Sequence, residues 1–177
     1  MTRKPTYEDY PWWIVAVSNS VSLSIYAIGA YLLARLWIWL LPLYLAMCLW
    51  LEVRLLREAC ANCAYYGQVC AFGKGKLCAL VLPQGDAARF TEKEISWQQI
   101  LPDMLVSILP TIGGIVLLVM HGWDWLIAGL LALLLGLAFA GTGFVRGTLA
   151  CPHCRQRELG CPAEQLFAQS REAGDGA

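Results

Sequence analysis

Seven of the eight cysteines follow a spacing that is typical of metal ligands. The motif C-x2-C-x6-C begins at Cys60 and occurs again 91 residues later, at Cys151, and one further cysteine follows the first motif. Two cysteines separated by two residues can direct both sulfurs at one ion, while neighbouring backbone N–H groups support the thiolates. The predicted metal ligands are Cys60, Cys63, Cys70, Cys78, Cys151, Cys154 and Cys161.

Several assignments of these ligands to sites are open. A structural zinc ion takes four ligands, and each motif supplies three. Cys78 is a fourth ligand for the first motif, and His153, inside the second motif, could serve the metal of the other motif. Alternatively, one shared site uses the paired cysteines of both motifs: Cys60, Cys63, Cys151 and Cys154.

The identity of the metal is also open. Zinc is the favoured cofactor, and an iron–sulfur cluster is the alternative, because thiolate ligands suit both. The segments Cys151-Pro-His-Cys154 and Cys161-Pro162-Ala163 resemble a zinc-ribbon-like or ferredoxin-like knuckle over a short stretch. Neither motif has the usual ferredoxin spacing, which favours zinc. Redox-active thiols without a metal are the third interpretation.

Hydrophobic segments must position these cysteines. The chain is 58% hydrophobic and 15% charged, with a mean hydropathy of +0.54. Residues 12–34, 36–51, 104–120 and 125–145 carry no charge. A bilayer core needs about 20 helical residues to cross it, and open strands cannot cross because their backbone groups would lack partners. We therefore predict an all-α integral membrane protein with four transmembrane helices, near 12–32, 36–57, 99–121 and 124–146, and we expect Cys48 to be a buried hydrophobic residue of the second helix.

The positive charges predict the orientation in the membrane. Twelve of the thirteen Lys and Arg residues flank the predicted helices on one side, and only Arg35 lies on the other. Because Lys and Arg are retained on the cytoplasmic side, both termini and the central loop should be cytoplasmic in an inner or plasma membrane. The first uncharged run exceeds the roughly 7 to 15 residues of a signal-peptide core, so we expect a retained anchor.

The sequence also indicates an internal duplication. A shift of 91 residues superimposes the cysteine motifs and places the predicted turn at Tyr31–Arg35 over Gly122–Leu126. This predicts two tandem helix-hairpin repeats, 1–97 and 98–177, each ending in a cytoplasmic cysteine-rich knuckle, and the first containing a short interfacial helix that opens at Thr91. Such parallel repeats share an axis along the membrane normal, which would bring the two motifs together.

The remaining features limit the function. The chain has no phosphate-binding loop, dinucleotide fingerprint, zinc-protease helix or hydrolase nucleophile elbow, so no catalytic residue and no enzyme activity is predicted. A net charge of zero without a basic stripe predicts no nucleic-acid partner. The predicted partner is the lipid bilayer, with a second copy or a larger membrane complex.

Metal-stapled loops favour a structural or docking module, or an accessory subunit of a membrane complex. Iron–sulfur electron transfer and transport of a metal or small solute are the alternatives.

Overall fold

The computed structural model describes residues 5–86, 97–159 and 161, and this part of the chain contains helices and loops but no strand. Two π-helical turns, Leu137–Gly141 and Val145–Ala150, extend the last long helix. The interfacial helix predicted to open at Thr91 lies outside the described residues. The α-helices longer than one turn are α1 (Trp12–Leu36), α2 (Leu40–Glu58), α3 (Lys74–Val81), α4 (Trp97–His121) and α5 (Trp125–Gly136).

Three helical segments are long and apolar enough to cross a bilayer: Trp12–Leu36, Leu101–Met120 and Trp125–His153. Four were predicted, and α2 is the one that falls short. Its last seven residues include four charged ones, and its uncharged part, 40–51, spans only about 18 Å at 1.5 Å per residue. The structure therefore supports a membrane protein with three clear candidate spans.

The position of the first turn explains why α2 is shorter than predicted. The first turn lies at 37–39 rather than at Arg35, so α2 begins four residues later than predicted. The second turn, 122–124, lies where predicted. It begins at Gly122, which is in the left-handed region (φ +83°), and it ends at Asp124, whose carboxylate accepts a hydrogen bond from the Leu126 N–H at 2.8 Å.

The predicted superposition of the two turns is wrong. The turns are 85 residues apart, whereas the cysteine motifs are 91 apart. The difference lies in the last helix, because the path from Trp125 to Cys151 is longer than the path from Leu40 to Cys60 and includes the two π-helical turns. The 91-residue register is therefore kept at the cysteines and lost at the turns.

The described residues form two compact units, each drawing on both sides of the predicted repeat boundary at residue 97. The helical unit contains residues 19–53 and 97–143. The cysteine unit contains residues 5–18, 54–86 and 144–159 together with Cys161. All of the predicted metal ligands belong to the cysteine unit, whereas Cys48 lies in the apolar core of the helical unit, as predicted.

Three helices meet closely within the helical unit. Pro110 inside α4 has no N–H, so the carbonyl of Val106 loses its helical partner. The hydroxyl of Tyr44 on α2 donates to that carbonyl at 2.9 Å. On α1, a Cβ atom at Gly29 would lie 2.8 Å from Cγ of Pro110 and would also collide with the Tyr44 hydroxyl. Glycine is thus required at position 29 for this packing.

Candidate metal centre

Both cysteine motifs begin with the same backbone turn. Cys60–Asn62 and Cys151–His153 each form one turn of 3-10 helix. The N–H of Cys63 donates to the Cys60 carbonyl at 3.3 Å, and the N–H of Cys154 donates to the Cys151 carbonyl at 3.2 Å. Cys63 and Cys154 then have similar extended conformations, with φ/ψ of −88/149° and −80/126°. The tight turns predicted from the C-x2-C spacing are therefore present in both motifs.

A reciprocal pair of hydrogen bonds joins the two motifs. The N–H of Ala64 donates to Oε1 of Gln156 at 2.8 Å, and the N–H of Arg155 donates to the Tyr65 hydroxyl at 3.0 Å. Ala64 and Arg155 each follow the second cysteine of a motif, and Tyr65 and Gln156 come one residue later. In each motif, the N–H of the residue after the second cysteine therefore donates to the side chain of the next residue along in the other motif. This is the pattern expected for two motifs related by an approximate two-fold axis.

Backbone N–H groups support the second sulfur of each motif. The N–H of Tyr65 bonds the sulfur of Cys63, and the N–H of Gln156 bonds the sulfur of Cys154. Burial is the larger influence and raises the pKa of both thiols, that of Cys154 to about 12, while these hydrogen bonds lower the pKa in part. Without a cation the thiols are protonated at neutral pH, and a bound metal would displace those protons.

The same electrostatics show which sulfurs are neighbours. Burial, with a smaller contribution from nearby thiols, raises the pKa of the Cys60 thiol to about 12. The thiols that interact with Cys60 are those of Cys70, Cys78 and Cys63. Those that interact with Cys63 are Cys70 and Cys161. Those that interact with Cys154 are Cys63, Cys161 and Cys151. Electrostatic influence between the two motifs thus runs from Cys63 to both Cys154 and Cys161.

No three Cys, His, Asp or Glu side chains among the described residues form a ready-made metal-binding group. All eight cysteines are free thiols. The sulfurs are thus neighbours within one unit without converging on a single point, and a metal ion would have to draw them together.

Two of the predicted ligands already have structural partners. Cys78 is fully buried against Leu56 and Ala61, and its thiol donates to the Leu56 carbonyl at 3.5 Å. Nδ1 of His153 lies 2.8 Å from the carbonyl oxygen of Pro5 and must be the donor, since a carbonyl only accepts. Both residues thus contribute to packing around the motifs.

An N-terminal strap, residues 5–10, holds both motifs, and sequence reasoning missed it. Its contacts with the second motif are the Tyr7 N–H to the His153 carbonyl at 3.1 Å and the Tyr10 hydroxyl to the Ala150 carbonyl at 2.6 Å. Toward the first motif, the Tyr65 hydroxyl donates to the Tyr7 carbonyl at 2.6 Å. Two tyrosines three residues apart before the first helix are the only sequence signal for this role.

Gln156 also escaped the sequence prediction. Its side chain is 1% exposed, and its Nε2 group has no hydrogen-bond partner within the described part of the chain. An unpaired buried amide donor costs roughly 1–3 kcal/mol.

The chain matches no protein-family model, and neither a curated protein nor a solved structure matches it at a significant level. What the protein does must therefore be inferred from the geometry of the cysteine unit.

Proposed function

We propose that this is a four-span membrane protein of two tandem repeats whose cysteine unit lies in the cytoplasm and binds a metal, with zinc favoured, through cysteine thiolates. The metal staples the cytoplasmic loops into a rigid module on which another subunit of a membrane complex can dock. One observation carries the proposal. The reciprocal hydrogen bonds after Cys63 and Cys154 hold two C-x2-C turns against each other, and such paired turns are what a thiolate-bound ion needs.

The surface of α2 supports its role as the fourth span. Leu43, Leu49 and Trp50 are exposed, which favours lipid over water as their surroundings. Three of the charged residues near its end, Glu52, Arg54 and Glu58, have partners. The Tyr26 hydroxyl donates to the Glu52 carboxylate at 2.7 Å, and Arg54 pairs with Glu58 at 3.1 Å. Long charged side chains in the last turn can reach the headgroups, so the 19-residue helix can span with some thinning of the bilayer.

The duplication is supported by matched parts rather than by an ungapped alignment. Both α1 and α4 contain 25 residues, and each is followed by a tight turn, a second helix and a cysteine turn in the same order. The reciprocal bonds then join equivalent positions of the two halves. The longer last helix accounts for the six-residue offset of the turns.

A structural role follows from how the ligands are embedded. The two turns are held by the strap and by each other, and the loops that carry them are short. In such loops the binding free energy of a metal is largely folding free energy.

The test is elemental analysis of protein purified without oxygen, with a visible spectrum of the same sample. Zinc bound in a fixed ratio to protein, with no visible charge-transfer band, is the expected result. Iron with sulfide and a brown colour would replace the structural role with electron transfer. If neither metal is present and Cys63→Ser leaves stability unchanged, the metal proposal fails and redox thiols explain the spacing.

The orientation is tested by labelling intact cells with a membrane-impermeant maleimide. Trp123→Cys places a thiol in the exposed turn between α4 and α5 and should gain label. Leu77→Cys places a thiol at another exposed position, on α3 of the cysteine unit, and should gain none until the membrane is permeabilised. The reverse pattern would place the cysteine unit outside the cell.

A further inference from the structure

The short helix α3 turns an apolar stripe away from the cysteine unit to which it belongs. The side chains of Leu77, Leu80 and Val81 are 51%, 84% and 66% exposed. Their spacing of three and four residues places them side by side on the helix, and we call them the α3 stripe. Gly75 and Cys78, on another face of the same helix, are buried. The stripe therefore has no cover among the residues that the structure describes.

The buried face of α3 packs beside the end of α2. Cys78 contacts Leu56 and Ala61, and its thiol donates to the Leu56 carbonyl at 3.5 Å. Leu56 belongs to the last turn of α2, a helix of 19 residues and therefore about 28 Å long. Because a bilayer core is roughly 30 Å thick, an α2 that spans it has its last turn at the inner boundary of the core. The helix α3 then lies at the same boundary.

Other exposed residues of the cysteine unit suit the surface of a membrane. The unit contains the start of α1, where Trp12 and Trp13 are exposed, and Trp at the end of a spanning helix is typical of the interface between lipid and water. Lys76, next to the α3 stripe, and Arg57, next to Leu56, are exposed as well. Basic side chains at this level attract the anionic lipids of the cytoplasmic leaflet.

We propose that the α3 stripe is a lipid-binding surface, which enters the cytoplasmic leaflet and holds the cysteine unit against the membrane. This inference rests on the proposed function only for the spanning of α2 and the cytoplasmic side of the unit. The stripe is small for a protein partner, because three side chains expose far less than the roughly 800 Å² that each partner of a stable complex buries. A leaflet needs no matching shape, since burial of apolar surface is non-directional and a helix face can enter the boundary between headgroups and acyl chains.

The experiment puts a benzophenone amino acid in place of Leu80 in the full-length protein, reconstituted in nanodiscs of phosphatidylcholine and anionic phosphatidylglycerol. Irradiation should attach lipid at this position, because most of the Leu80 side chain lies outside the protein. Ala79 is the matched control. It is exposed on the same helix but lies four residues after Gly75, on the side of the helix that Gly75 occupies. The yield of lipid adduct should be several-fold higher at position 80 than at position 79.

A second measurement uses the unaltered chain, so the inference stays testable even if the substituted chains fail to fold. Phosphatidylglycerol that carries a diazirine in its acyl chain is photolysed in the same nanodiscs, and peptide mass spectrometry locates the adducts. Adducts within the α3 stripe, and fewer on Ala79, are the expected result. The thiol of Leu77→Cys in the orientation test should still gain label after permeabilisation, because the detergent removes the lipid that covers the stripe.

The outcomes separate this inference from the proposed metal site. Equal lipid yields at positions 79 and 80, or no lipid adduct on the stripe of the unaltered chain, would overturn the lipid surface. Crosslinks from position 80 to a second copy of the chain or to another protein, in place of lipid, would overturn it as well. Zinc is measured on the same samples. Lipid adducts without zinc reject the metal and keep the lipid surface, whereas zinc without lipid adducts does the reverse.

Discussion

Tyr65 is the single side chain on which the joining of the two motifs depends most directly. It is 1% exposed, and its hydroxyl both donates to the Tyr7 carbonyl at 2.6 Å and accepts from the Arg155 N–H at 3.0 Å. Tyr65→Phe keeps the ring in the apolar cluster and removes only the hydroxyl. The strap and the second motif then each lose a partner for a buried backbone group.

The expected cost follows from those two groups. Leaving one buried donor or acceptor unpaired costs about 1–3 kcal/mol, and the lower half of that range applies because both bonds are only partly buried. The total is about 2–4 kcal/mol for the two groups. If it is expressed in metal binding, the affinity falls about 30- to 700-fold, at tenfold for each 1.4 kcal/mol. Substitutions of groups that support metal ligands have effects of this order.

The measurement is zinc competition against a chromophoric chelator, with thermal unfolding in detergent recorded in parallel. Tyr66→Phe is the matched control, because its hydroxyl donates to the Leu82 carbonyl at 2.8 Å, within the first half of the chain. The control should lose about 1 kcal/mol of stability with little change in zinc affinity. Equal zinc affinities for the Tyr65→Phe and Tyr66→Phe proteins would refute the reasoning.

Two further predictions concern the helical unit, both read as thermal unfolding in detergent. Gly29→Ala should destabilise the protein by about 1–3 kcal/mol, because the added Cβ collides with Pro110. Gly136→Ala is the control and should be neutral or stabilising, since a Cβ there meets nothing within 4 Å. Equal effects of the two substitutions would contradict the packing at Gly29. Tyr44→Phe should cost about 1 kcal/mol in the natural sequence and almost nothing with Pro110→Ala, whose restored N–H can reach the Val106 carbonyl. An undiminished cost in that background would show that the hydroxyl acts elsewhere.

Local features of this fold could be predicted from the sequence because each has few physical alternatives. An uncharged run in lipid has to satisfy its backbone internally, so α1, α4 and α5 were expected close to where they occur. Two residues between cysteines permit a narrow range of turns, and both cysteine turns have the expected form. The end of α2 was harder to predict, since its charged residues and the shifted turn at 37–39 depend on packing rather than on pattern.

The joining of the motifs could not be predicted, because the side chains that perform it do not resemble each other. Tyr65 and Gln156 occupy equivalent positions and accept equivalent bonds, yet one does so with a hydroxyl and the other with an amide oxygen. A comparison of residue types finds no match there. The strap is similar, because Tyr7 and Tyr10 contact residues more than 130 positions away. Such partners are defined by the fold alone.

Burial of the thiols and the joining of the two motifs both bear on the proposed metal. Burial raises the pKa of Cys63 and Cys154, so a site built from these thiols disfavours negative charge unless a cation is present. In the proposed function a divalent ion supplies that cation and displaces the thiol protons. Each motif alone is one ligand short of a tetrahedral zinc site, so the hydrogen bonds that hold the two motifs together would let one motif complete the ligand set of the other.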